Sequence, residues 1–139
     1  MRAGAFTFVL HSHLPYCRNA GRWPHGEEWI HEAASETYIP LLNVLYDLAS
    51  EGVPYKLTIS LTPVLVEQLT DPLIRSHLDE FLKDRLHRAR SDTVRFRTSG
   101  DEHRSYLAQL YSNHYQRLID SYRDRFGGDI IGALRLSLI

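Results

Sequence analysis

The chain has 139 residues, 43% of them hydrophobic and 24% charged, the balance of a one-domain globular protein rather than of a disordered tract. Sixteen Lys and Arg stand against seventeen Asp and Glu, a net charge of -1, which gives no long-range attraction to nucleic acid or to an anionic membrane. The apolar stretches fall well short of the roughly 20 residues that cross a bilayer, and the single Cys17 forms no internal disulfide. The N-terminus runs Met1-Arg2-Ala3-Gly4-Ala5 into a strand-like segment without a cleavage signature, so the expected setting is reducing and cytoplasmic.

Ala5 to Leu10, rich in Phe and Val and bounded by Gly4 and His11-Ser12-His13, fits a strand buried on both faces that ends at His11. Pro15 to Glu28 carries Pro15, Gly21, Pro24 and Gly26 and predicts a long loop, of the length that is usually functional or disordered. From Trp29 the pattern turns helical. Pro40 lacks an N–H and clashes with the preceding turn, so two helices with a break or kink between them are expected. The second has Leu41, Leu42, Leu45, Leu48 and Ala49 on one face, with Gly52 placed to cap its end.

Tyr55 to Leu61 predicts a second strand. Thr62-Pro63 is a cap with proline at the first helical position, opening a short helix to about Leu69. Asp71-Pro72 repeats that signal, and Leu73, Ile74, Leu78, Phe81, Leu82, Leu86 and Ala89 mark the buried stripe of a longer helix that ends near a Ser91-Asp92 turn. Another helix is expected from about Glu102 to Arg125, with Tyr106, Leu107, Leu110, Tyr111, His114, Leu118 and Tyr122 on one side, closed by Gly127-Gly128. After Asp129 an apolar run reaches Ile139 without a polar terminus, which is expected to be an interruption. A strand, helix, strand order implies an α/β chain with parallel pairing through a crossover.

The residues richest in chemistry are His11-Ser12-His13-Leu14-Pro15-Tyr16, where the first strand ends. Strand alternation puts His11 and His13 on one face, within reach of one ligand, and in α/β barrels such strand ends build the active site. By position alone, one histidine capping the loop backbone beside a solvated one suits the segment equally well.

His11-x-His13-x-Pro15-Tyr16 after an apolar strand resembles the first signature region of glycoside hydrolase family 57. Glu28-Trp29, Glu32-Ala33, Glu36-Thr37-Tyr38-Ile39-Pro40-Leu41-Leu42 and Leu57-Thr58-Ile59-Ser60-Leu61-Thr62-Pro63 are similar to segments of its branching-enzyme subgroup. The resemblance spans essentially the whole chain. It implies the N-terminal portion of an incomplete (β/α)7 TIM-like barrel with extra helices, residues 1–139 being a truncated part of the catalytic domain. It also implies a retaining enzyme that acts on α-1,4-glucans such as amylose or glycogen. That chemistry needs two carboxyl groups about 5 Å apart. The family's Glu nucleophile and Asp acid/base lie on later strands with no counterpart here, so this chain holds no catalytic residue and is expected to be inactive alone. By the same resemblance His11 and His13 line the innermost sugar subsite.

Trp29, and after it Trp23, are the candidates for stacking on a glucose ring, because an indole matches the apolar face of a sugar while its N–H stays free to bond. Trp29 equally suits closing its helix against the barrel. Glu27 and Glu28 complement a helix N-terminus, and Glu32 and Glu36 stand one turn apart on a solvated face, although Glu36 could brace the site. No cofactor and no metal is expected. Related barrels bind zinc through His-x-His-x-Asp at this strand end, but Pro15 replaces the Asp and removes the hard oxygen ligand. His31-Glu32 begins a zinc-protease pattern whose second histidine is Ser35. Within the family, α-amylase and 4-α-glucanotransferase share the first region and are the alternatives, and a non-catalytic carbohydrate-binding piece is the third.

Overall fold

The computed structural model describes Gly4 and residues 6–136. Strands β1 (Val9–Ser12) and β2 (Thr58–Leu61) pair in parallel, with His11 opposite Ser60 and Ser12 opposite Leu61. The α/β class and the parallel pairing expected from the element order are therefore present. The predicted first strand is shifted and is not buried on both faces: Phe6, Phe8 and Val9 are 82%, 60% and 69% exposed, and the expected start at Ala5 lies outside the described residues. Among the described residues helices cover one face of the pair, through Ile59 and Leu61, while Thr58 and Ser60 on the other face are exposed. A two-stranded parallel pair with one bare face is far from the covered sheet such strands normally require. At high concentration the isolated chain is expected to elute from a sizing column above its 16.1 kDa monomer mass and to dissociate on dilution, because bare edges and apolar strand faces template association. A monomer at every concentration would show that the helices alone satisfy these strands.

The crossover is one helical path. Helix α1 (Glu27–Ala33) passes through a π-helical turn at Ala34–Tyr38 into α2 (Ile39–Ser50). The irregularity expected at Pro40 is present as this π-helical turn, which separates two α-helices. The Ile39 N–H reaches the Ala34 carbonyl five residues back, and this wider turn absorbs the missing proline N–H and the bulk of its ring. Gly52 ends α2 at φ 69, with the Val53 N–H on the Leu48 carbonyl, the hydrogen bonding of a glycine cap.

Helix α3 (Pro63–Thr70) starts where β2 stops, and α4 (Pro72–Thr98) follows after one residue, Asp71. That aspartate accepts the Leu73 and Ile74 N–H groups at 2.8 and 3.4 Å, the N-cap read from the sequence. The turn predicted at Ser91-Asp92 does not occur. Its polar residues sit inside α4, where Asp92 pairs with Arg95 one turn on, so a locally helical charge pattern overrides the turn composition. Helix α5 (Glu102–Asp120) runs into a second π-helical turn at Ser121–Arg125, and α6 (Ile130–Leu136) closes the described chain.

The core joins Ile30, Ile39, Leu42, Leu65, Ile74, Leu82, Leu118 and Ile130 from six helices, and each such side chain taken from water contributes about 1.5–3 kcal/mol. One expectation about α5 is corrected. Leu118 and Tyr122 are buried, but Tyr106, Leu107, Leu110 and Tyr111 are exposed, and Ser105, Ala108 and Ser112 face inward instead. On α4 the buried small residues are Ala89 and Thr93, and the Ser105 hydroxyl donates to the Thr93 carbonyl at 3.2 Å. Small residues let two long helices approach closely, and that turns the bulky ones outward.

Candidate functional site

His11 stands one residue before the end of β1, opposite Ser60 of β2, and its Nδ1 lies 3.1 Å from the Ser60 hydroxyl. Burial alternates along the chain: His11 and His13 are exposed, while Ser12 and Leu14 are partly buried. Leu14 packs on the core, and the Ser12 hydroxyl lies 2.5 Å from the Tyr38 hydroxyl. Both histidines thus stand on the bare face of the strand pair, as alternation predicts. Tyr38 belongs to the first π-helical turn, so the irregularity around Pro40 is what delivers its hydroxyl to the residue between the two histidines. Such turns recur at functional sites.

The segment after His13 is held by a side chain that the sequence did not single out. Gln68 of α3 is 1% exposed. Its Nε2 donates to the Pro15 carbonyl at 3.0 Å, and its Oε1 accepts the Cys17 N–H at 2.6 Å. The available signal was position: Gln68 interrupts the stripe that Leu65 and Leu69 make with it, where an apolar residue is the norm. The Cys17 thiol is buried and donates to the Pro15 carbonyl at 3.1 Å. Burial, and secondly the charge of Glu27, push its pKa up, the opposite of what a thiolate nucleophile needs.

The tryptophans stand apart from the strand end. Trp29 on α1 is 45% exposed, with the His25 ring edge-on at 5.9 Å. Trp23 is 72% exposed and lines a different recess, a groove of about 480 Å³ whose walls include Glu28, His31 and Phe81. No described contact joins either indole to the histidine pair. The loop that carries Trp23 folds back on itself at Gly26, where a Cβ would stand 2.5 Å from the Gly21 carbonyl oxygen, so only glycine fits.

The carboxylates divide. Glu32 and Glu36 are exposed, as expected of a solvated face. Glu28 accepts Arg85 at 3.0 Å. Glu27 stands in the first turn of α1, as expected, and is also 3% exposed, accepting His77 Nδ1 at 2.5 Å and the Asn19 N–H at 3.4 Å. His31, 1% exposed beside it, has its pKa lowered to about 4. Burial is the main cause; His77 and Arg22 add to it, while Glu27 and a hydrogen bond to the Ile74 backbone oppose it. Among the described residues no group of three or more His, Cys, Asp or Glu is placed to hold a metal ion.

With that geometry in view, the comparisons with known proteins give the family. Residues 7–134 match the model of glycosyl hydrolase family 57, and the chain belongs to that family. It is 42% identical over 132 residues to the 1,4-alpha-glucan branching enzyme of Thermococcus kodakarensis, covering 95% of this chain and 19% of that protein. A probable 1,4-alpha-glucan branching enzyme of Mycobacterium tuberculosis is 49% identical over 69 residues, covering 50% of this chain and 13% of that one. The chain is therefore about a fifth or less of the length of these relatives.

Among solved structures, the family 57 branching enzyme of Pyrococcus horikoshii superimposes with a TM-score of 0.86 at 40% identity, over 94% of this chain and 24% of that one. An alpha-amylase of Thermotoga maritima gives 0.79 at 28% identity, again over 94% of this chain and 24% of that one. The fold is thus the α/β arrangement of family 57 enzymes.

Proposed function

We propose that this chain is the N-terminal part of the catalytic domain of a cytoplasmic 1,4-alpha-glucan branching enzyme, the first portion of an incomplete (β/α)7 barrel with extra helices. The observation that carries this is the 42% identity to a branching enzyme across 95% of the chain. The reaction is retaining transfer of an α-glucan segment, as in glycogen synthesis, and its nucleophile Glu and acid/base Asp are supplied by sequence beyond residue 139. His11 and His13 line the innermost sugar subsite, their imidazole N–H groups and lone pairs bonding to sugar hydroxyls. Trp29 and Trp23 offer exposed indole faces to glucose rings farther along the glucan. The weaker likeness to an alpha-amylase makes hydrolysis the second reading.

Glycosidic cleavage needs a nucleophile and an acid of separated pKa held across the sugar. Glu28 is tied to Arg85, and Glu32 and Glu36 point to solvent. The purified chain incubated with amylose is therefore expected to change neither reducing ends nor the iodine-complex spectrum. Activity above a mock preparation, abolished by changing Glu28, Glu32 or Glu36, would place the active site inside this segment and overturn the assignment. In a longer protein containing this chain, an altered iodine spectrum with few new reducing ends marks branching, and many new ends mark hydrolysis.

A further inference from the structure

We propose that Gln68 is the positioning residue of the histidine segment, a clamp that sets where His13 stands at the end of β1; its functional consequence rests on the glucan reading above. The segment from Pro15 to Cys17 leaves β1 with one backbone acceptor and one backbone donor turned inward, the Pro15 carbonyl and the Cys17 N–H. Gln68 satisfies both, at 3.0 and 2.6 Å. Its amide orientation is dictated by these partners, because the reverse would set N–H against N–H and oxygen against oxygen. A neutral amide supplies a donor and an acceptor at once, whereas a carboxylate supplies acceptors alone and an apolar side chain neither.

The helix that carries Gln68 is itself registered to the sheet. α3 starts at Pro63, directly after β2, and the Thr62 N–H donates to the Ser12 carbonyl of β1 at 3.2 Å. On the other side of His13, Ser12 is held by Tyr38, and between His13 and Pro15 the partly buried Leu14 packs against the core. His13 is thus exposed, yet its neighbours on both sides are pinned by buried partners. Gln68 touches neither histidine in any described contact and acts through the backbone.

The test uses the chain itself, with the wild type, Gln68→Met and Gln68→Glu compared. Residue-resolved hydrogen exchange reports the Cys17 amide relative to the core amide of Leu82. Histidine ring resonances report His13 with and without a linear malto-oligosaccharide. In Gln68→Met the relative protection of Cys17 is expected to fall about tenfold, the loss of one net hydrogen bond, and the His13 resonance to move. In Gln68→Glu the carboxylate still accepts from Cys17 but cannot donate to Pro15, so at neutral pH Cys17 protection is expected to be kept while the His13 resonance differs from that of wild type. In mild acid that difference from wild type at the same pH is expected to vanish, because a protonated carboxyl again donates to Pro15 while accepting from Cys17; a side chain that merely fills space would not produce such a recovery. Unchanged Cys17 protection in Gln68→Met, or an unmoved His13 resonance in either variant, overturns the proposal. A wild-type His13 resonance that ignores the oligosaccharide, with the variant effects as expected, supports the clamp and counts against the glucan reading instead.

Discussion

Glu27→Ala is expected to destabilise the fold by about 1.5–3 kcal/mol, the usual worth of a hydrogen bond to a charged group. The carboxylate is 3% exposed and ties three parts of the chain together. It opens α1, receives His77 of α4, and receives the Asn19 N–H from the loop that carries Trp23. Alanine leaves the His77 ring without its acceptor and opens a polar void beside His31. Glu27→Gln keeps the volume and one acceptor oxygen and is expected to cost about 1 kcal/mol, the net worth of an ordinary hydrogen bond. Urea unfolding of the three proteins at neutral pH measures both values. Equal midpoints for Glu27→Ala and wild type would mean that the buried pair contributes nothing net, its desolvation cancelling its attraction.

The second large effect is acid sensitivity centred on His31. Burial holds its pKa at about 4, against 6.5 for a free imidazole. Between those values the unfolded chain binds a proton that the folded chain refuses, so stability rises with pH in that window. The contribution is complete above 6.5 and drains away as the pH falls toward about 4. At 1.36 kcal/mol for each pH unit, that interval amounts to about 3 kcal/mol. The neighbours that set it beside burial are His77 and Arg22, which oppose protonation of His31, and Glu27, which favours it. His31→Phe fills the same space beside Phe81, whose ring centroid lies 5.5 Å away, without a titrating group. Its urea midpoint is expected to change less across the window than that of wild type. Parallel pH profiles for the two proteins would remove His31 as the cause.

The parts legible in the sequence were those written in local chemistry. Thr62-Pro63 and Asp71-Pro72 predicted two helix starts, and both are present; the capping oxygen acts at Asp71, whereas the Thr62 hydroxyl makes no cap hydrogen bond. A proline at the first helical position acts on the next few residues alone. Gly52 and Gly127-Gly128 predicted helix ends for the same reason. The alternation of His11 and His13 followed from the geometry of an extended chain, and the family resemblance, carried by several separated segments, agrees with the match over residues 7–134.

Local composition fell short or misled where a neighbouring element decided. Pro40 predicted two helices with a break or kink between them, which the π-helical turn supplies, but that this turn presents Tyr38 to Ser12 was not legible locally. Ser91-Asp92 predicted a turn, but the Asp92–Arg95 pair and the contact of the adjacent, buried Thr93 with Ser105 of α5 hold those residues helical. Tyr106, Leu107, Leu110 and Tyr111 predicted a buried face, but close approach of two helices selected Ser105, Ala108 and Ser112.

By itself, the sequence determined the order of the elements as far as α5, the parallel α/β class, the family and the histidine pair at the strand end. Each depends on residues near one another along the chain. Only the tertiary structure decided that Gln68 reaches the segment after His13, that Glu27 is buried against His77, and that His31 stays neutral. Those partners are separated by about fifty residues in the chain, and burial and electrostatics depend on what folds alongside a group, which no local pattern records.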